Sequence, residues 1–239
     1  MGISIGNNTI GSLYLGSTKI GAAYFGNVKM YESSPLPSAK TVRMTFANGY
    51  TPTVSTGTLV QVSSSPNVWD YTFSGTSYNL ELLSIKNSIV SVVVNAEGMS
   101  TFEEVFPSTN IVSAVVYVGS TVTSLQRLIE GSRNLTSISF QNVGANLSNI
   151  SYVCSNCTAL TSVPMFDTSH LTNVSWAFNE CNAVQSGSLD LYQQMSSQTN
   201  PPANHDGCFY MCGINGGSQA VSDLGNIPGD WGGAGPYPE

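Results

Sequence analysis

Five cysteines (154, 157, 181, 208 and 212) and two histidines (His170 and His205) are the residues in this 239-residue chain with the most obvious chemical potential. Cys154-Ser-Asn-Cys157 has the spacing of a redox dithiol or of half a zinc site. A second pair of zinc ligands could come only from Cys208, Cys212 and His205, whose spacing matches no standard site. An odd count excludes a framework in which every cysteine pairs. Internal repeats offer a plainer account, because they align Cys157 with Ser132 and Cys181, and Cys154 with the apolar Ile129 and Phe178. Free cysteine behaves as a small buried hydrophobe, so the thiols are read as core, and no metal or other cofactor is expected. Neither histidine stands in a triad context. The carboxylates of Glu103, Glu104, Glu130, Asp167 and Glu180 fall at different phases of the repeat, so no catalytic pair is forced together. The chain reads as non-enzymatic.

Recognition chemistry is better represented. Thr136, Thr161 and Gln185 each follow an apolar repeat leader and should form one outward row. Trp176 aligns with Tyr152 and with Arg127, which makes Tyr152 and Trp176 the aromatic candidates for binding. Neutral hydrogen-bonding groups beside aromatic rings suit a sugar or a flat protein epitope. Only 9% of residues are charged, against roughly 25% in an average soluble protein. The net charge is −7 and the few Lys and Arg are scattered, which argues against nucleic acid as a partner. Apolar runs such as 92–94 and 114–118 fall far short of the ~20 residues a membrane span needs, so no membrane insertion is expected. The first residues show neither a secretory signal nor a myristoylation motif.

The elements that would position these residues come from the repeat itself. Ile89-Val-Ser91, Ile111-Val-Ser113, Leu135-Thr-Ser137, Leu160-Thr-Ser162 and Val184-Gln-Ser186 recur at steps of 22, 24, 25 and 24 residues. Such spacing predicts stacked units of about 24 residues, each unable to bury its apolar face alone. Ahead of each leader, Ser100-Thr-Phe-Glu103, Thr123-Ser-Leu125, Asn149-Ile150 and Asn173-Val174 carry capping residues just before an apolar one, which predicts a helical turn or two. On that reading Val105, Ile129, Cys154 and Phe178 share an inward face. The expected fold is an α/β solenoid with parallel strands, preceded by β-rich segments. Residues 34–85 are expected to be a small β-rich module capping it, with strands at 41–46, 58–62 and 69–73. The solenoid is expected over 86–231, with a helix over 189–196, and residues 232–239 form a loosely held tail.

Residues 1–33 carry a shorter repeat, in which Ile10-Gly-Ser-Leu-Tyr14-Leu-Gly16 returns as Ile20-Gly-Ala-Ala-Tyr24-Phe-Gly26, and Val28-Lys-Met-Tyr31 closes the series. Glycines mark the turns and short strands lie between them. This segment resembles the N-terminal repeats of phage tail and fibre proteins. Its Ile10, Tyr14, Ile20, Tyr24 and Tyr31 are read as an assembly anchor. The longer units, with the run from Ser155 to Cys181, resemble BspA-type leucine-rich repeats of bacterial surface antigens and of phages and prophages, although the first two units carry valine runs instead of Leu-Thr-Ser. Together the resemblances imply a bacteriophage virion protein of tail-fibre or receptor-binding type. Its partners would be other virion proteins through the anchor and a glycan or protein receptor on the bacterial surface. A symmetric homotrimer is implied, and localisation would be the virion, released by host lysis. The alternatives are a structural or decoration protein without a ligand, of head-fibre type, and a bacterial surface adhesin.

Overall fold

The computed structural model describes residues 36–235 except 48, 55–56 and 77–84, together with the backbone of 14–15, 18–19, 22–25 and 28–32. The chain divides into two compact units, Met1–Leu36 and Pro37–Glu239. In the first, β1 (Tyr14–Leu15) pairs antiparallel with β2 (Thr18–Lys19), and β3 (Ala22–Phe25) with β4 (Val28–Glu32). Tyr14, Tyr24 and Tyr31 lie in these strands, whereas Ile10 and Ile20 lie outside the described residues.

The second unit is organised by one mixed sheet. Its strands are β5 (Thr41–Phe46), β6 (Thr58–Ser64), β7 (Asn67–Thr72), β8 (Ile89–Asn95), β9 (Ser113–Gly119) and β10 (Ser137–Val143), in the order β10-β9-β8-β5-β7-β6. The β8, β9 and β10 strands run parallel with the repeat serines in register, Ser91 opposite Ser113 and Ser113 opposite Ser137. Strand β5 enters antiparallel beside β8, so 41–72 continues the sheet of the repeats. Alternation then decides the faces. Tyr71, Val42, Val94, Val116 and Phe140 line up across five strands and are buried. Between them on the opposite face, Arg43 holds Asp70 in a two-pronged pair at 2.7 and 2.8 Å.

The leucine-rich-repeat α/β solenoid is overturned. The chain instead builds this single six-stranded sheet, with only two α-helices among the described residues, α1 (Ser188–Ser196) and α2 (Ser218–Gly225). Two physical causes account for the difference. Where helical turns are predicted, the polar residues cap turns. Ser124 Oγ accepts the Gln126 N–H, Asn149 Oδ1 the Ser151 N–H and Asn173 Oδ1 the Ser175 N–H, at 3.2, 3.0 and 3.1 Å. The backbone then enters the left-handed region at Arg127, Tyr152 and Trp176, with φ of 55°, 57° and 58°, which a right-handed helix cannot accommodate. The second cause ends the parallel strands early. Pro164 has no N–H to give after Ser162, and Gly187, at φ 92°, turns the chain into α1 after Ser186. The fourth and fifth leaders are left with one bridge, Ser162 to Ser186.

The segments ahead of four leaders form rungs, at 101–109, 124–132, 149–157 and 173–181, and residues 204–212 add a fifth. Alternate N–H groups reach the next rung: Ile150 donates to Asn173 O, Tyr152 to Ser175 O and Cys154 to Ala177 O, at 3.0, 3.0 and 2.9 Å. The intervening Val153 and Ser155 N–H groups close tight turns onto Ile150 and Tyr152. Inward go Phe106, Ile129, Cys154, Phe178 and Phe209, all buried. Near the C-terminal end, Gly233, Ala234 and Gly235 donate to the carbonyls of Pro228, Leu224 and Ile227, and residues 236–239 lie outside the described residues.

Candidate functional site

The rung register brings Arg127, Tyr152 and Trp176 into one row. The Arg127 guanidinium sits 4.5 Å from the centre of the Tyr152 ring, within cation–π range. Tyr152 and Trp176 are nearly parallel, with centroids 6.4 Å apart and planes at 17°. Tyr210 extends the row from the last rung, 6.2 Å from Trp176 and turned by 69°, so that two aromatic surfaces meet at a corner. Tyr210 is 47% exposed, and the other three are half-buried. Such a ridge offers flat carbon surface, a phenol hydroxyl, an indole N–H and a fixed cation.

Gly207, at φ 63°, makes the corner possible. A Cβ there would stand 2.6 Å from Cε3 of the Trp176 indole. Gly207→Ala is expected to push the indole off its seat and to cost about 1–3 kcal/mol, as overpacking does. Denaturant titration together with a change in tryptophan emission would register both effects.

Two carboxylates, Glu104 and Glu130, reach the ridge at Arg127. Arg127 Nη1 donates to Glu130 Oε2 at 2.9 Å, and Glu104 Oε1 lies 3.9 Å from Arg127 Nε. Glu104 and Arg127 occupy the same place on successive rungs, so their meeting follows from the 23-residue step.

Thr136, Thr161 and Gln185 are exposed and in line, each donating its backbone N–H to the preceding unit. The threonine hydroxyls do likewise, Thr136 to Val112 O and Thr161 to Thr136 O, both at 3.0 Å. Their protons are spent inside the protein, which leaves only lone pairs for a ligand. Along each unit the buried turn at Ser132, Cys157 or Cys181 separates this row from the ridge residues.

All five thiols are free and fully buried. Cys157 and Cys181 donate to the carbonyls of Ile129 and Cys154 at 3.3 and 3.2 Å, the role that Ser132 performs on Phe106 O at 3.1 Å. Burial pushes the thiols of Cys154, Cys181 and Cys208 well up, and Cys212 to about 12. Among the described residues no cluster of three or more His, Cys, Asp or Glu could hold a metal. His205 stacks on Trp231 at 4.3 Å, with Nε2 3.9 Å from Asp230. Asp167 caps a turn by accepting the Ser169 N–H at 3.0 Å, which holds its carboxyl below the usual range. No described helix is long and apolar enough to cross a membrane.

No family model matches the chain, and neither a curated protein nor a solved structure matches it.

Proposed function

We propose that the protein is a non-enzymatic recognition protein that binds carbohydrate through the ridge of Arg127, Tyr152, Trp176 and Tyr210. The carrying observation is the ridge itself: consecutive rungs aim half-exposed aromatic side chains along one line and end in a corner. Saccharides alternate apolar C–H faces with hydroxyl edges. Aromatic surface meets the first, while phenol, indole and guanidinium groups meet the second. The hydroxyl- and amide-rich composition, with only 9% charged residues, suits such a ligand.

A bacterial cell-surface glycan as the target, and a bacteriophage tail fibre as the carrier, are the setting we favour. They rest on the resemblance of residues 3–31 to phage tail and fibre repeats, with 1–33 as the segment that joins other virion proteins. A structural virion role without a ligand is the second reading. It is favoured by the threonine row, whose hydroxyl protons are already committed inside the protein.

The test is binding of the intact protein to bacterial surface polysaccharides and whole cells. Saturable binding is expected, falling about tenfold in Trp176→Ala and Tyr152→Ala while stability changes little. Absence of saturable binding across a broad panel would favour the structural role, and binding untouched by either substitution would move the site off the ridge.

A further inference from the structure

We propose that a cleft beside Arg133 is a subsite for an acidic saccharide unit, one that carries a carboxylate as a uronic acid does. The proposal rests on reading the ridge as a carbohydrate surface and names the ligand class that the surface would select.

The cleft is open, of about 500 Å³, and is lined by Ser108, Asn110, Glu130, Arg133, Asn134 and Asn156. That is the size of a small-ligand site. Gly131 also lines it, and a Cβ there would come within 2.9 Å of Ser108 Oγ, so the missing side chain keeps the cleft clear. The walls are chiefly amide and hydroxyl. Asn134 Nδ2 donates to Asn110 Oδ1 at 3.4 Å, and Asn110 Nδ2 donates to Asn87 O at 2.8 Å, which fixes the amides in a line. Such groups suit the hydroxyls of a sugar ring.

Charge then decides what kind of sugar. Glu130 is engaged by Arg127 at 2.9 Å, so part of its charge is answered within the protein. Arg133 is exposed and has no carboxylate within 4.0 Å among the described residues. A guanidinium presents its donors as a planar fork, which matches a carboxylate two bonds at a time. The subsite is also continuous with the ridge, because Glu130 lines the cleft and binds the same Arg127 that lies over Tyr152. One extended oligosaccharide could occupy both.

The experiment is calorimetry on the intact protein with two matched oligosaccharides, an oligouronate and its carboxyl-reduced neutral counterpart. The acidic form is expected to bind about tenfold more tightly at low salt, with the preference shrinking as salt is raised. Arg133→Gln should abolish the preference and leave neutral binding intact, whereas Arg133→Lys should keep part of it. Equal affinity for the two forms, or a preference that survives Arg133→Gln, would overturn the subsite while leaving the ridge. Failure of both sugars to bind would overturn the subsite, and the ridge reading falls with it only where no polysaccharide of the broad panel binds either.

Discussion

Raising the pH from 8.5 to 10.5 is expected to remove most or all of the folding stability, and the buried thiols are the main cause. Cys154, Cys181, Cys208 and Cys212 are held protonated by burial, Cys212 up to about 12. In the unfolded chain a thiol ionises near 8.5. Below that pH both states hold their thiol protons, and the stabilisation is intact. Above it the unfolded chain releases protons that the folded chain keeps, so stability falls as pH rises, until the folded thiols themselves ionise. Each thiol contributes a slope of at most about 1.4 kcal/mol per pH unit, and four together at most about 5.5. Two pH units therefore remove up to about 10 kcal/mol, comparable with the roughly 5–15 kcal/mol of a typical domain. Urea titrations at stepped pH would measure the slope. Cys181→Ser is the decisive variant, because Ser132 already makes the same hydrogen bond two places back in the series and serine does not ionise. Its slope should drop by about a quarter. An unchanged slope would assign the alkaline loss to other groups.

The same thiols show how far the residues speak for themselves. Alignment of Cys157 and Cys181 with Ser132 foretells a shared place, and the shared donation to a carbonyl of the preceding rung explains why serine and cysteine interchange there. Spacing likewise reveals the pairing of Ser91, Ser113 and Ser137 and the row of Arg127, Tyr152 and Trp176. Alternation gives β5 its bounds. Helices are predicted where there are turns because a serine or asparagine ahead of an apolar residue caps either one. Only the left-handed φ at Arg127, Tyr152 and Trp176 separates the two, and no residue type there announces it. Phe106, rather than Val105, belongs with Ile129, since Phe106 N–H bonds Leu128 O just as Ile129 N–H bonds Val153 O. Tyr210 and Gly207 escape notice because α1 lengthens the last step to 31 residues. Asn173 with Asn204, Phe178 with Phe209 and Cys181 with Cys212 all keep that step, which is the signal that could have found them.

Phe178→Ala is expected to cost about 3–5 kcal/mol, the upper range for a core truncation. Phe178 is fully buried, and its ring lies 6.1 Å from that of Phe209 with planes at 12°. Such a cavity is cheap only where the surroundings collapse into it. Here the backbone is tied on both sides, by Phe178 N–H to Cys208 O and by Cys154 N–H to Ala177 O, each at 2.9 Å, so the rungs cannot close the gap. At about 2–4 °C per kcal/mol for a unit of this size, the melting temperature should fall by roughly 10 °C. A loss below 1 kcal/mol in a denaturant titration would mean that the rungs slide, and the fixed register of the ridge would fall with it. The comparison with Trp176→Ala sharpens this. Trp176 lies two residues away on the same rung but outward, so its truncation should cost little stability and much binding. Phe178→Ala, studied at a temperature where it remains folded, should do the reverse. If both variants instead lose binding in proportion to stability, the ridge owes its apparent selectivity to rung order, and the ligand contacts lie elsewhere.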